Sequence, residues 1–130
     1  RTDSSTGLKT LNRCVEMLET VHGKSKPHAR SAQALSRRAR AHAALGDPRS
    51  ASADIASSLT MFAAVYQDDK PHAYLADALR QHGDILVIQG ITSNARQAYE
   101  KSLAMMRQLY RSNKTHYKIA SVLEKLRSLE

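Results

Sequence analysis

A period of 44 residues runs through this chain and limits what it can fold into. The tripeptide Lys-Pro-His at residues 26–28 returns at 70–72, and recurs as Lys-Thr-His at 114–116. Between residues 28–71 and 72–115, 12 of the 44 positions are identical. A repeat of this length indicates stacked copies of one supersecondary unit, which share a core that no copy could build alone.

Within each unit, apolar and small residues recur at steps of three and four, which is the spacing of one face of an α-helix. Gly46 and Pro48 mark the end of one helix and the start of the next, because glycine favours the position after a helix and proline its first turn. Gly90 has the same place in the next unit. The pattern predicts an all-α fold of antiparallel helix pairs joined by short loops. The helices are expected at about residues 6–22, 28–45, 49–67, 72–89, 93–111 and 116–129.

Composition and motifs argue against several classes of protein. Cys14 is the single cysteine, so no internal disulfide can form, and we expect a cytoplasmic location with the nucleus as the alternative. The longest aliphatic run, residues 85–88, is far shorter than the roughly 20 residues that cross a bilayer. The chain has no glycine-rich phosphate loop and no His-Glu-x-x-His motif. We therefore expect no membrane span, no enzyme and no cofactor.

The repeated histidines, His28, His72 and His116, suggest a row of metal ligands at first sight. Stacked units would hold them roughly 10 Å apart, whereas Zn–N bonds are about 2.1 Å. We therefore expect no metal and predict that each histidine begins a helix. Cys14 aligns with serines of the two full units, so we expect it to be a small buried residue. The methionines are predicted to fill the core, at Met17, Met61, Met105 and Met106.

Positive charge is concentrated in one part of the chain. The formal net charge is +8, and residues 23–50 carry seven lysines and arginines against the single acid Asp47. Such a segment favours an acidic partner, which could be a peptide, a phosphorylated segment or a nucleic acid.

Small residues at fixed positions of each unit resemble the pattern of the tetratricopeptide family. That family keeps a small residue in the middle of the first helix, glycine at the turn, and alanine, a bulky residue and a small residue along the second helix. These positions hold Ala39, Gly46, Ala51, Ile55 and Ser58, and then Gly83, Gly90, Ala95, Tyr99 and Ser102. The 44-residue period is similar to the long units of kinesin-light-chain and nephrocystin-like repeats.

The resemblance covers residues 6–130 and implies a right-handed α-α superhelical solenoid of antiparallel helix pairs. It implies one domain, residues 1–130, and the chain looks like a fragment of a larger protein. The expected parts are a partial unit at 6–27, full units at 28–71 and 72–115, and a partial unit at 116–130. The family resemblance further implies a non-catalytic scaffold for protein–protein interaction, with a concave groove lined mainly by the first helix of each pair.

By the family's register, residues on these first helices are predicted to contact an acidic peptide or a partner helix in the groove. They are Gln33, Arg37, Arg40, Asp77, Arg80, Asp84, Val87 and Lys125. Arginine suits this task because its guanidinium binds a carboxylate or phosphate through two hydrogen bonds. An apolar patch is expected beside the arginines, around Leu86 and Val87.

Two other functions remain open at this point. In a basic nucleic-acid-binding module, phosphates would be bound by Lys24, Lys26, Arg37, Arg38 and Arg40, although no aromatic residues are interleaved with them to stack on bases. In a self-association module, the first and last helices lack a pair partner, so their apolar faces would meet in a homodimer.

Overall fold

The computed structural model describes residues 2–23, 26–66 and 71–130. Within these residues the chain forms six α-helices and no strand, which confirms the all-α prediction. The helices are α1 Thr2–His22, α2 Ala29–Ala44, α3 Pro48–Val65, α4 Ala73–Ile88, α5 Thr92–Leu109 and α6 Tyr117–Ser128. Their bounds fall within two residues of the predicted ones, except that α1 begins four residues earlier.

The chain divides into two compact units, Arg1–Gln67 and Asp68–Glu130. In the first unit α2 packs against α3, and α1 packs against α2. In the second unit α4 packs against α5, and α5 packs against α6. Each unit therefore contains one full helix pair and one additional helix. The division into a single domain of repeats stays a prediction.

Both turns inside the pairs have the predicted chemistry. Gly46 has φ 80° and Gly90 has φ 77°, in the left-handed region that side chains disfavour. After Gly46, Asp47 caps α3 by accepting a hydrogen bond from the amide of Ser50 at 3.1 Å. This hydrogen bonding with Ser50 lowers the pKa of Asp47 below its ordinary value.

The three repeated histidines begin helices, as predicted. His28, His72 and His116 are the N-caps of α2, α4 and α6. The Nδ1 atoms of His28 and His116 accept hydrogen bonds from the second amide beyond them, at 3.1 and 3.2 Å. The ring of His28 stacks on His22 at 3.7 Å between centroids, and that of His116 stacks on Tyr110 at 3.8 Å. Each stack joins the end of one helix to the start of the next.

The core of each unit contains the same hydrogen bond. Ser58 Oγ donates to the carbonyl of Ala32 at 2.6 Å, and Ser102 Oγ donates to the carbonyl of Ala76 at 2.8 Å. All four residues are buried, and each bond ties the second helix of a pair to the first. The two bonds lie 44 residues apart in sequence, which is the period of the repeat.

Two core predictions for α1 are wrong. Cys14 is exposed, and Met17 has 66% of its surface exposed. The aligned serine Ser58 is buried because it faces the preceding helix of its own pair, whereas α1 packs mainly against α2, the helix that follows it. The other methionines fit the prediction, since Met106 is fully buried and Met61 and Met105 pack at the edges of the two cores. In the part of the chain that the structure describes, no helix is long and apolar enough to cross a membrane.

Candidate functional site

The three arginines of α2 have different roles. Arg38 donates Nε to Asp54 Oδ2 at 2.7 Å and Nη2 to Asp54 Oδ1 at 2.9 Å, and its Nη1 reaches Asn12 Oδ1 at 3.4 Å. The hydrogen bonds to Asp54 raise the pKa of Arg38 above its ordinary value. Asp54 is 8% exposed, so this arginine balances a carboxylate inside the first unit. Arg38 therefore joins α1, α2 and α3 and is committed to the fold.

Arg37 and Arg40 are both exposed on α2, and neither forms an ion pair with a carboxylate of the described residues. They are three positions apart, and Gln33 precedes Arg37 by four, so the three lie along one face of the helix. These three predicted site residues are thus brought together. Their face presents two uncommitted guanidinium groups to the solvent.

Three predicted site residues of the second unit, Arg80, Asp84 and Lys125, are also close together, but they bind each other. Asp84 accepts a hydrogen bond from Tyr99 Oη at 2.5 Å, and its carboxylate lies 2.9 Å from Lys125 Nζ and 3.4 Å from Arg80 Nη1. Asp77 pairs with Lys118 Nζ at 3.1 Å. The network links α4 to both α5 and α6.

The network has two consequences for protonation. Burial, together with the hydrogen bond to Asp84, raises the pKa of Tyr99 well above its ordinary value. Burial lowers the pKa of Lys118, but the contacts with Asp77 outweigh it, so the net shift is upward. Each proton is therefore held firmly at neutral pH. An incoming carboxylate would compete with Asp84 for Arg80 and Lys125, so this face is less suited to an acidic partner than that of Arg37.

The expected apolar patch is only half present. Leu86 is 7% exposed and belongs to the core of the second unit, so its place in the patch was wrong. Val87 is 43% exposed and lies near two further exposed apolar residues, Ile88 and Ile91, at the end of α4. Successive residues of an α-helix are rotated by about 100° around its axis. Leu86 is therefore buried in the core while its neighbour Val87 is exposed.

Sequence reasoning missed the residues that hold the arginines and carboxylates in place. Asp54 was detectable, because it lies beside Ile55 on the apolar stripe of α3, and a carboxylate on a buried face requires a paired cation. The sequence around Lys118 gives no comparable indication that this lysine pairs with Asp77. Of the predicted phosphate contacts, Lys26 is exposed, Arg38 is committed to Asp54, and Lys24 lies outside the described residues.

In the described ranges no group of three or more His, Cys, Asp or Glu side chains is arranged to hold a metal ion. His82 is half-buried in α4, and burial, with a smaller effect of Lys101, lowers its pKa. His42 Nε2 lies 3.6 Å from the Asp54 carboxylate that Arg38 binds.

Comparison of the chain with models of known protein families gives no match, and comparison with curated proteins gives none either.

Proposed function

We propose that this chain is a non-catalytic helical-repeat scaffold that binds an acidic peptide or partner helix through the exposed face of α2. The observation that supports this most directly is the pair Arg37 and Arg40, which are exposed and have no carboxylate partner in the described residues. Neighbouring Arg38 is bound to Asp54 and serves the fold, whereas Arg37 and Arg40 have no such contact.

The tetratricopeptide resemblance, with its solenoid arrangement, is part of the same proposal. It is supported by features that recur 44 residues apart: the serine-to-carbonyl hydrogen bond, the positive-φ glycine at the turn and the histidine N-cap. A repeat built for packing leaves the outer face of its first helix free to vary, which suits a surface that selects partners.

The chemistry of α2 favours a carboxylate-bearing protein segment. Two guanidinium groups one helical turn apart can each take a carboxylate through two hydrogen bonds, and Gln33 adds an amide that donates and accepts. A nucleic acid would be bound through many more phosphate contacts than these two arginines provide. Arg38, one of the predicted phosphate contacts, binds Asp54 instead. Nucleic acid is therefore the competing outcome of the test.

The test is a pull-down from lysate with the full chain, with and without nuclease, and then a binding titration with each recovered partner. Arg37→Glu/Arg40→Glu is compared with Arg13→Glu/Arg49→Glu, which changes the net charge equally at exposed positions of the same unit. We expect an acidic protein that survives nuclease, binds the control variant as it binds the native chain, and loses at least about tenfold in affinity with Arg37→Glu/Arg40→Glu.

Other results would count against the proposal. Partners that disappear after nuclease treatment would favour the nucleic-acid module. Equal losses in both double variants would show that only net charge matters, and that the face of α2 is not a specific site.

A further inference from the structure

A cavity of about 430 Å³ opens on the second unit where α5 ends and α6 begins. Its floor is apolar and its rim is basic. The floor consists of Tyr110, Ile119 and Leu123. The rim consists of Arg107, Arg111 and Lys114. None of these residues was predicted to take part in binding.

The cations at the rim differ from those of α6. Lys118, Lys125 and Arg127 are each paired with a carboxylate, at 3.1, 2.9 and 3.1 Å. The three rim cations are exposed and form no ion pair with any acid of the described residues. Three like charges around one opening repel each other, so an anionic group placed among them is stabilised.

The floor selects what the anion is attached to. Ile119 is 3% exposed and forms the base, whereas Leu123 is 36% exposed and offers apolar surface to a ligand. Burial of an aliphatic side chain here stabilises a complex through the hydrophobic effect. One face of Tyr110 is already stacked on His116 at 3.8 Å. The site therefore suits an aliphatic side chain with acids on either side of it.

We propose that this cavity binds an acidic amphipathic segment of a partner protein. A leucine-like side chain covers Leu123, and flanking carboxylates pair with Arg107, Arg111 and Lys114. The inference rests on the proposed function, because both surfaces take an acidic protein segment, but it assigns the contact to the second unit and to residues outside the predicted groove.

Two other occupants fit the observations less well. A nucleic acid brings phosphates but no aliphatic group for the floor, and base stacking needs exposed aromatic faces. A second copy placed on the cavity by two-fold symmetry would bring three cations against the same three cations. Like charges across such an interface oppose association.

The experiment uses the full chain and a fluorescein-labelled peptide of about 15 residues, built from glutamates with leucines at every third or fourth position. A scrambled peptide of equal composition is the ligand control. Anisotropy titrations compare the native chain with Arg107→Glu/Arg111→Glu, Leu123→Ser, Arg37→Glu/Arg40→Glu and Arg13→Glu/Arg49→Glu. Circular dichroism verifies that each variant keeps its helix content.

We expect Arg107→Glu/Arg111→Glu to weaken binding at least about tenfold, and Leu123→Ser to weaken it several-fold with no change in charge. Methyl resonances of Ile119 and Leu123 should shift on titration, and the scrambled peptide should bind more weakly. Arg13→Glu/Arg49→Glu should bind as the native chain does.

The variant that loses peptide binding shows whether the peptide binds in the cavity or on the face of α2. If only Arg37→Glu/Arg40→Glu loses the peptide, the cavity proposal is overturned and the proposed function stands. If only the cavity variants lose it, the cavity proposal is supported and the face of α2 is not the site. Absence of peptide binding at millimolar concentration would overturn both. An oligonucleotide that displaces the peptide, or a dimer in light scattering that Leu123→Ser disperses, would overturn the cavity proposal in favour of those occupants.

Discussion

The helix pairs α2–α3 and α4–α5 can be compared position by position, because equivalent residues are 44 apart. Both pairs keep the hydrogen bond from a buried serine to the first helix, Ser58 to Ala32 and Ser102 to Ala76. They differ in the polar contacts beside it. The comparison shows that the backbone framework is kept while the ionic chemistry around it changes completely.

The first difference concerns the volume of the side chains at two buried positions, one on each helix of the pair. In α2–α3, Ala39 and Ile55 are fully buried at these positions. In α4–α5 the equivalents are Gly83 and Tyr99, and a Cβ on Gly83 would lie 2.5 Å from the Tyr99 ring. A larger side chain on one helix is therefore matched by a smaller residue on the other, which keeps the packing dense.

The second difference decides which charges remain for a partner. In the first pair Arg38 and Asp54 satisfy each other and leave Arg40 exposed. In the second pair the equivalents of these two are His82 and Ala98, and the position of Arg40 is occupied by Asp84, which is bound by Tyr99. The first pair thus presents cations, whereas the second neutralises its own.

The largest expected effect comes from breaking the ion pair of the first unit. Arg38→Met leaves Asp54 buried without its two strongest hydrogen bonds, so we expect the free energy of unfolding to fall by about 3 kcal/mol. Urea denaturation measures the loss, and hydrogen exchange assigns it to amides of α2 and α3. The variant Arg38→His/Asp54→Ala installs the pair found in the second unit, and it should recover most of the stability. If the double variant is no more stable than Arg38→Met, the residue pair of the second unit cannot replace that of the first.

The next effect tests the volume match. Gly83→Ala forces a Cβ against the Tyr99 ring, and we expect a net loss of about 2 kcal/mol in spite of alanine's better helix propensity. The double variant Gly83→Ala/Tyr99→Ile copies the first unit and should be more stable than Gly83→Ala alone. Gly7→Ala in α1 is the control, since nothing lies within 4 Å of its Cβ, and it should stabilise by about 0.5–1 kcal/mol. A loss in Gly7→Ala equal to that in Gly83→Ala would remove the steric explanation.

Helix positions were predictable because they depend on local signals that repeat along the chain. Glycine at 46 and 90 and the 3.6-residue pattern were enough to place each helix pair. The pairings were not predictable, since contacts such as Lys118 with Asp77 join residues 41 apart and depend on how α6 lies against α4. The exposure of Cys14 was missed for a related reason: the repeat predicts the neighbours of a residue only where both neighbouring helices are present.

A smaller effect tests the feature that the units share. Ser58→Ala and Ser102→Ala each leave a buried carbonyl without this hydrogen bond, and we expect each to cost about 1 kcal/mol. Both losses are measured by urea denaturation under the same conditions. Equal losses would support a common role for the bond, whereas a loss in one variant alone would confine it to that unit.

The smallest effect concerns the pH dependence of stability and belongs to the second unit alone. In the first unit, the residue equivalent to His82 is Arg38. Burial lowers the pKa of His82 in the folded chain, so the unfolded chain, with a pKa near 6.5, binds its proton first as the pH falls. The free energy of unfolding should therefore decrease below about pH 6.5 and level off below the folded pKa. His82→Gln removes this contribution, and because the other histidines are unchanged, the difference between variant and native chain isolates it. A difference that stays constant from pH 8 to pH 5 would mean that His82 reaches solvent in the folded chain as freely as in the unfolded one.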